Sequence, residues 1–155
     1  MDAKRINPVI QAIVDILEKV GALSIKIQKP FVKSNATARG EITSIIVLRG
    51  DVSGTVSITF PTKCILSVVS KMLGEQMTEL NEDIKDALGE ITNMISGQAT
   101  QLFEMTGQSL KASLSQVIVG KNHTIPHASD ATVLGVPCQS EHGEITLEMC
   151  FEEEF

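Results

Sequence analysis

Tryptophan and tyrosine are absent from the 155 residues, and five phenylalanines bring the aromatic share to only 3%. Single-stranded nucleic acid is usually held on aromatic platforms within a basic groove. A chain without those rings and with a net charge of −6 lacks both halves of that footprint, which argues against a nucleic-acid partner. Cysteine is scarce as well. Cys64, Cys138 and Cys150 are odd in number and have no CxxC spacing, so neither a disulfide framework nor a zinc site is expected. Long apolar runs are missing too. No segment approaches the ~18 residues needed to cross a bilayer. The first apolar stretch, PVIQAIVDIL, is interrupted by Gln11 and Asp15 and fails as a signal-peptide core. No glycine-rich phosphate loop occurs. The chain reads as cytoplasmic and free of the membrane.

What is present suits one globular domain. Hydrophobic residues make up 43% and charged residues 21%. A chain of this length buries roughly 70% of its unfolded surface. Apolar residues Ile6, Val9, Ile10, Ile13, Leu17 and Val20 recur at helical spacing, predicting a helix over 3–20 closed by Gly21. LSIKIQ alternates as a strand until Pro30, and EITSIIVLRGDVSGTVSITF predicts a hairpin turning at 49–54. In its second arm Val56, Ile58 and Phe60 alternate with Thr55, Ser57 and Thr59, which predicts one buried and one wet face.

Pro61 suits the start of a second helix that stops at Gly74. Asn81, followed by Glu82 and Asp83, suits the N-cap of a third helix running to about Glu104, with Gly107 just beyond. Strand patterns follow in SLSQVIVG, DATVLGV and EITLEMCF. The expected fold is an α/β (α+β) single domain: three helices on a mostly antiparallel six-stranded sheet. Its order is helix, three strands, two helices, three strands. That order hints at a duplication, with Lys4 and Asn7 of the first helix opposite Glu90 and Asn93 of the third. The alternating C-terminal strand is a candidate sheet edge. The acidic tail Glu152-Glu153-Glu154 is expected to be solvated.

The third helix carries the sharpest signal. At about 100° per residue, Ile84, Leu88, Ile91, Ile95, Ala99 and Leu102 gather on a core stripe. Asp86, Glu90, Asn93, Gly97, Gln101 and Glu104 collect on the opposite side. Glu90 and Asn93 are therefore expected to stand exposed, one turn apart. Glycine on an exposed helix surface costs up to ~1 kcal/mol against alanine, so Gly97 asks for a reason. A bare backbone there lets another surface come close. Periodicity alone is equally satisfied by a solvated face.

The string LGEITNMISGQ resembles the signature of the CheC/CheX/FliY family of chemotaxis phosphatases, which carries Glu-x-x-Asn on a long surface helix. The opening MDAKRINPVI, the size and the element order resemble the CheX branch over essentially the whole chain. With Lys4 in place of a glutamate, one site per chain is implied. The resemblance implies a partner, a phosphorylated CheY-like response regulator, and two catalytic residues. Asn93 would orient the attacking water and Glu90 would dock to the receiver's lysine. Asp86, Met94, Gly97 and Gln101 would border the partner. It also implies a homodimer. The chain would hold no cofactor or metal of its own, Mg2+ being supplied by the receiver. A non-catalytic module binding a receiver or flagellar-switch protein is the competing reading. His123 and His127 are four apart, but Pro126 disfavours a helix there and no further ligand stands nearby, so a metal site is not expected. Met72, Met77, Met94 and Met105 are read mainly as core filler, and the cysteines as small buried hydrophobes.

Overall fold

A computed structural model describes residues 3–127 and 130–152. The chain runs α1 (Ala3–Gly21), β1 (Lys26–Ile27), β2 (Phe31–Val32), β3 (Ile42–Gly50), β4 (Gly54–Phe60), α2 (Thr62–Leu73), α3 (Glu82–Met105), β5 (Leu110–Val119), β6 (Leu134–Ser140) and β7 (Gly143–Phe151). The three helices fall where periodicity puts them. Gly74 ends α2 in the left-handed region (φ 72°), its N–H returning to the Ser70 carbonyl. Asn81 caps α3 by accepting from the Ile84 amide at 3.1 Å, with Glu82 and Asp83 in the first turn.

Every strand pairing is antiparallel, and the sheet order is β1-β6-β7-β4-β3-β5, with β2 also on β6. The expected six strands are seven: the strand expected over LSIKIQ shrinks to Lys26–Ile27, and a further short strand, Phe31–Val32, forms beyond Pro30 where none was expected. Both lie along β6, so the sheet still has six lanes. Proline offers no N–H to a ladder, and the segment loses pairing where it meets one. The strand expected at 130–136 begins at Leu134 and continues through Pro137 to Ser140. Pro137 lies within β6, and its carbonyl accepts from the Gln28 amide at 2.8 Å.

The strand order repeats between the two halves, as the element order hinted. Exchanging β1/β2 with β5, β3 with β6, and β4 with β7 reproduces the strand order in reverse. The two halves meet at the β4–β7 pairing, and each gives its first strand to the other half. Across the helix layer α1 and α3 run antiparallel, tied by the Gln98 amide donating to Asp15 at 2.7 Å.

Two expectations about the strands are corrected. β7 is an interior strand flanked by β4 and β6, so it is not a sheet edge. The second face of the sheet is not wet. Thr43, Thr55, Ser57, Thr59, Thr146 and Glu148 are all buried. The cover comes from the segments 33–38 and 120–127, joined by the Thr37–Thr124 bridge. They bring a matching set of polar groups. Lys33 pairs with Glu148, and His127 donates through Nε2 to Glu148 at 3.1 Å while its Nδ1 meets the Thr55 hydroxyl. His123 presents Nδ1 to the Gly120 carbonyl at 2.7 Å, which fixes its proton there. Thr43 therefore donates to Nε2 at 2.6 Å. The two histidines are latches of this polar layer, and alternation alone cannot reveal a layer whose buried members are themselves polar. Met105 is corrected as well: at the end of α3 it is exposed, not core.

Candidate functional site

The site is built on α3 and on the strand beneath it. Ile84, Ala87, Leu88, Ile91, Ile95, Ala99 and Phe103 anchor the helix in the core. Phe103 takes the last core position and Leu102 is only half-buried, because Leu102 turns toward α1 beside Pro8 and Gln11. With that stripe fixed, Asp86, Glu90, Asn93, Gly97 and Gln101 are exposed, and Met94 is half-buried against the core. The pair sought in the sequence thus stands in solvent. Among the described residues no hydrogen bond or ion pair engages the side chain of Glu90 or Asn93.

The two glycines of the motif have different surroundings. Gly89 is buried where the helix packs on the sheet, and a Cβ there would meet Leu114 Cδ2 at 3.4 Å, an ordinary contact distance. At Gly97 a Cβ would meet nothing within 4 Å. No packing within the chain explains that glycine.

Glu90 and Asn93 also line a cleft of about 440 Å³ between α3 and β5. Its helix wall includes Glu82, Lys85, Asp86 and Gly89, and its strand wall is Leu114 and Val117. Sequence reasoning missed the strand wall. The signal was there: apolar residues fall at Leu110, Ala112 and Leu114, then jump in phase to Val117 and Val119. The structure shows why. Ile46 pairs with Leu114 while Ile45 pairs with Gln116, so Ser115 is an extra residue, a β-bulge.

On the opposite half, Lys4, Asn7 and Gln11 of α1 are exposed beside Leu102 and Met105. No carboxylate occupies the place equivalent to Glu90. Among the described residues no group of three or more His, Cys, Asp or Glu is arranged to hold a metal ion.

Burial pushes the Cys64 thiol above its ordinary value, against a partial lowering by its contact to Ser140. Burial, with the Glu144 carboxylate adding to it, pushes Cys138 up to about 12. Neither is a nucleophile at neutral pH.

The sequence model of chemotaxis phosphatase CheX matches residues 42–139, a span that includes Glu90, Asn93 and both walls of the cleft. CheY-P phosphatase CheX of Thermotoga maritima is 26% identical over 123 residues, 79% of each chain. The crystal structure of a chemotaxis protein CheX from Desulfovibrio desulfuricans is 35% identical and superposes with a TM-score of 0.85, over 94% of this chain and 97% of that one. The CheX-CheY-BeF3-Mg2+ complex from Borrelia burgdorferi, at 24% identity, shares the fold with a TM-score of 0.78, covering 96% of this chain and 97% of the matched one. A helix face left unoccupied by its own chain, inside a match that takes in most of the sheet, places this protein in the CheX family of chemotaxis phosphatases.

Proposed function

We propose that this chain is a phosphatase that removes the aspartyl phosphate of a CheY-like response regulator. One observation carries the reading: Glu90 and Asn93 project side by side into solvent, unengaged by their own chain, from the helix that the family match includes. The Thermotoga maritima relative bears the name CheY-P phosphatase, which supports the substrate class.

The chemistry suits so small a constellation. An acyl phosphate is already activated, so no protein nucleophile is required. What is needed is a water held in line with the breaking P–O bond. A carboxamide supplies both a donor and an acceptor and, unlike a carboxylate, does not repel the phosphoryl dianion. Asn93 takes that role, as a glutamine does in small GTPases. Glu90 pairs with the receiver's lysine and fixes the register of the complex. Asp86, Met94, Gly97 and Gln101 surround the pair and border the docked receiver. Mg2+ enters with the receiver, where it neutralises phosphoryl charge.

The phosphatase works in the cytoplasm as a homodimer. Its open sheet edges are β5 on one side and β1 with β2 on the other, so pairing of two sheets would use one of these. Sedimentation of the purified chain at several concentrations reads the dimer directly. The activity test mixes the protein with radiolabelled phospho-receivers from its own cell. Faster label loss from one receiver, abolished in Asn93→Ala, is expected. Equal rates with and without the protein would overturn the reading.

A further inference from the structure

Among the described residues four buried side-chain hydroxyls have no hydrogen-bond partner, and two of them, Ser57 and Thr146, share the polar second face of the sheet. A buried hydroxyl that makes no bond carries the full penalty of its desolvation, so such groups are rare in folded chains and ask for a reason. The two stand close. Ser57 pairs with Glu148 and Thr59 with Thr146 across the β4–β7 ladder, which makes Ser57 and Thr146 diagonal neighbours with Thr59 beside both. Diagonal positions on a sheet lie about 7–8 Å apart, too far for one short hydroxyl to bond another and within the span of a single bridging molecule.

Hydrogen-bond direction says what such a molecule must do. The Gly120 carbonyl holds the proton of His123 on Nδ1, so Nε2 accepts from Thr43, and Thr43 in turn accepts from Thr59 at 2.7 Å. Every donor in that run points toward His123, and its open end at Thr59 offers only acceptor capacity. Ser57 and Thr146 can each donate once and accept. A molecule among the three must therefore donate to Thr59 and also serve the other two. Water does this, and a metal ion, which cannot donate, does not. Charge favours no ion either, since Glu148 is already engaged by Lys33 and His127. A cavity of about 510 Å³, lined in part by Lys33, His127 and Glu148, lies alongside and gives a route from solvent, Glu148 being the ladder partner of Ser57. We propose that one water molecule is built into the second face of the sheet, held by Ser57, Thr59 and Thr146. It extends the run of bonds from His123 across β4 to β7 and belongs to the fold. The site lies on the sheet face away from the helices, so it stands independently of the phosphatase reading.

The test joins a crystal structure of the chain to the melting of three variants. The crystal is expected to show a single ordered oxygen within hydrogen-bond distance of the Ser57, Thr59 and Thr146 hydroxyls. A map without it, or with those hydroxyls bonded to one another, overturns the site. With the water in place, Ser57→Ala and Thr146→Val each delete one of its partners and should lower the melting temperature by about 2–6 °C in a chain of this size. The double variant should lose little more than the worse single, because the water leaves with both partners. Without the water the sign reverses: deleting an unbonded hydroxyl from the interior raises the melting temperature of each single variant. Single variants at or above the parental value, or losses that simply add, overturn the proposal. Magnetic relaxation dispersion of the solvent reads the same site in solution, where the parent should hold one more long-lived water than the double variant. Equal counts overturn it as well.

Discussion

At the scale of single residues, the roles proposed for the two motif side chains predict that their variants fail differently. Asn93→Ala is expected to slow dephosphorylation by about a hundredfold or more, the scale of a misplaced reacting group, with receiver binding nearly intact. Glu90→Ala is expected to weaken binding as well, by about 2–5 kcal/mol if its partner is left buried and unpaired. Single-turnover decay of labelled receiver, set beside calorimetry, separates the two. Cys138 gives a pH signature of a different kind. Its thiol moves from 9.0 to about 12 on folding, so the native state holds the proton more tightly than the unfolded chain does. The stability this contributes is whole below pH 9.0 and drains away as pH rises toward 12. Urea melts on either side of the lower value should show the midpoint falling with pH. Cys64 and Cys138 should resist alkylation until the chain unfolds.

At the scale of elements, Gly97 sets helix stability against access. No atom lies within 4 Å of where its Cβ would be, so Gly97→Ala has no steric cost within the chain. It should stabilise α3 by about 1 kcal/mol and raise the melting temperature. If the bare backbone exists to admit the receiver, the same change should raise KM. A variant that gains stability and keeps parental KM would leave Gly97 without a role in docking. This element shows how much could be read from the chain alone. The α3 stripe, its Asn81 cap and its exposed Glu90–Asn93 face follow from local rules, because helical periodicity and capping are written within a few residues. The strand wall was hidden, since a bulge is a matter of register against β3, and register is set by a partner distant in sequence. The second sheet face was misread for a related reason. Thr55, Ser57 and Thr59 look solvated until the segments 33–38 and 120–127 close over them.

At the scale of the molecule, that closure depends on charge. Lys33 and Glu148 are almost fully buried, and the carboxylate also accepts from His127. Removing one member of such a pair leaves an uncompensated charge in the interior. Lys33→Met or Glu148→Gln should each cost about 3–5 kcal/mol. The double variant should recover much of that loss, since a pair removed together leaves no stranded charge. Denaturant melts of the three variants check this, with non-additivity as the expected sign of coupling. A strictly additive pair would mean the two groups act independently.

The reciprocal loan of leading strands is the arrangement that fusion of two copies of one smaller unit would leave. A gene for one half would encode a helix and three strands whose sheet closes only when its first strand is traded with a twin. Fusing two such genes turns that trade into an intramolecular one. Afterwards a residue could drift on one helix and persist on the other, and Lys4 facing outward where its counterpart is Glu90 fits such an unequal inheritance.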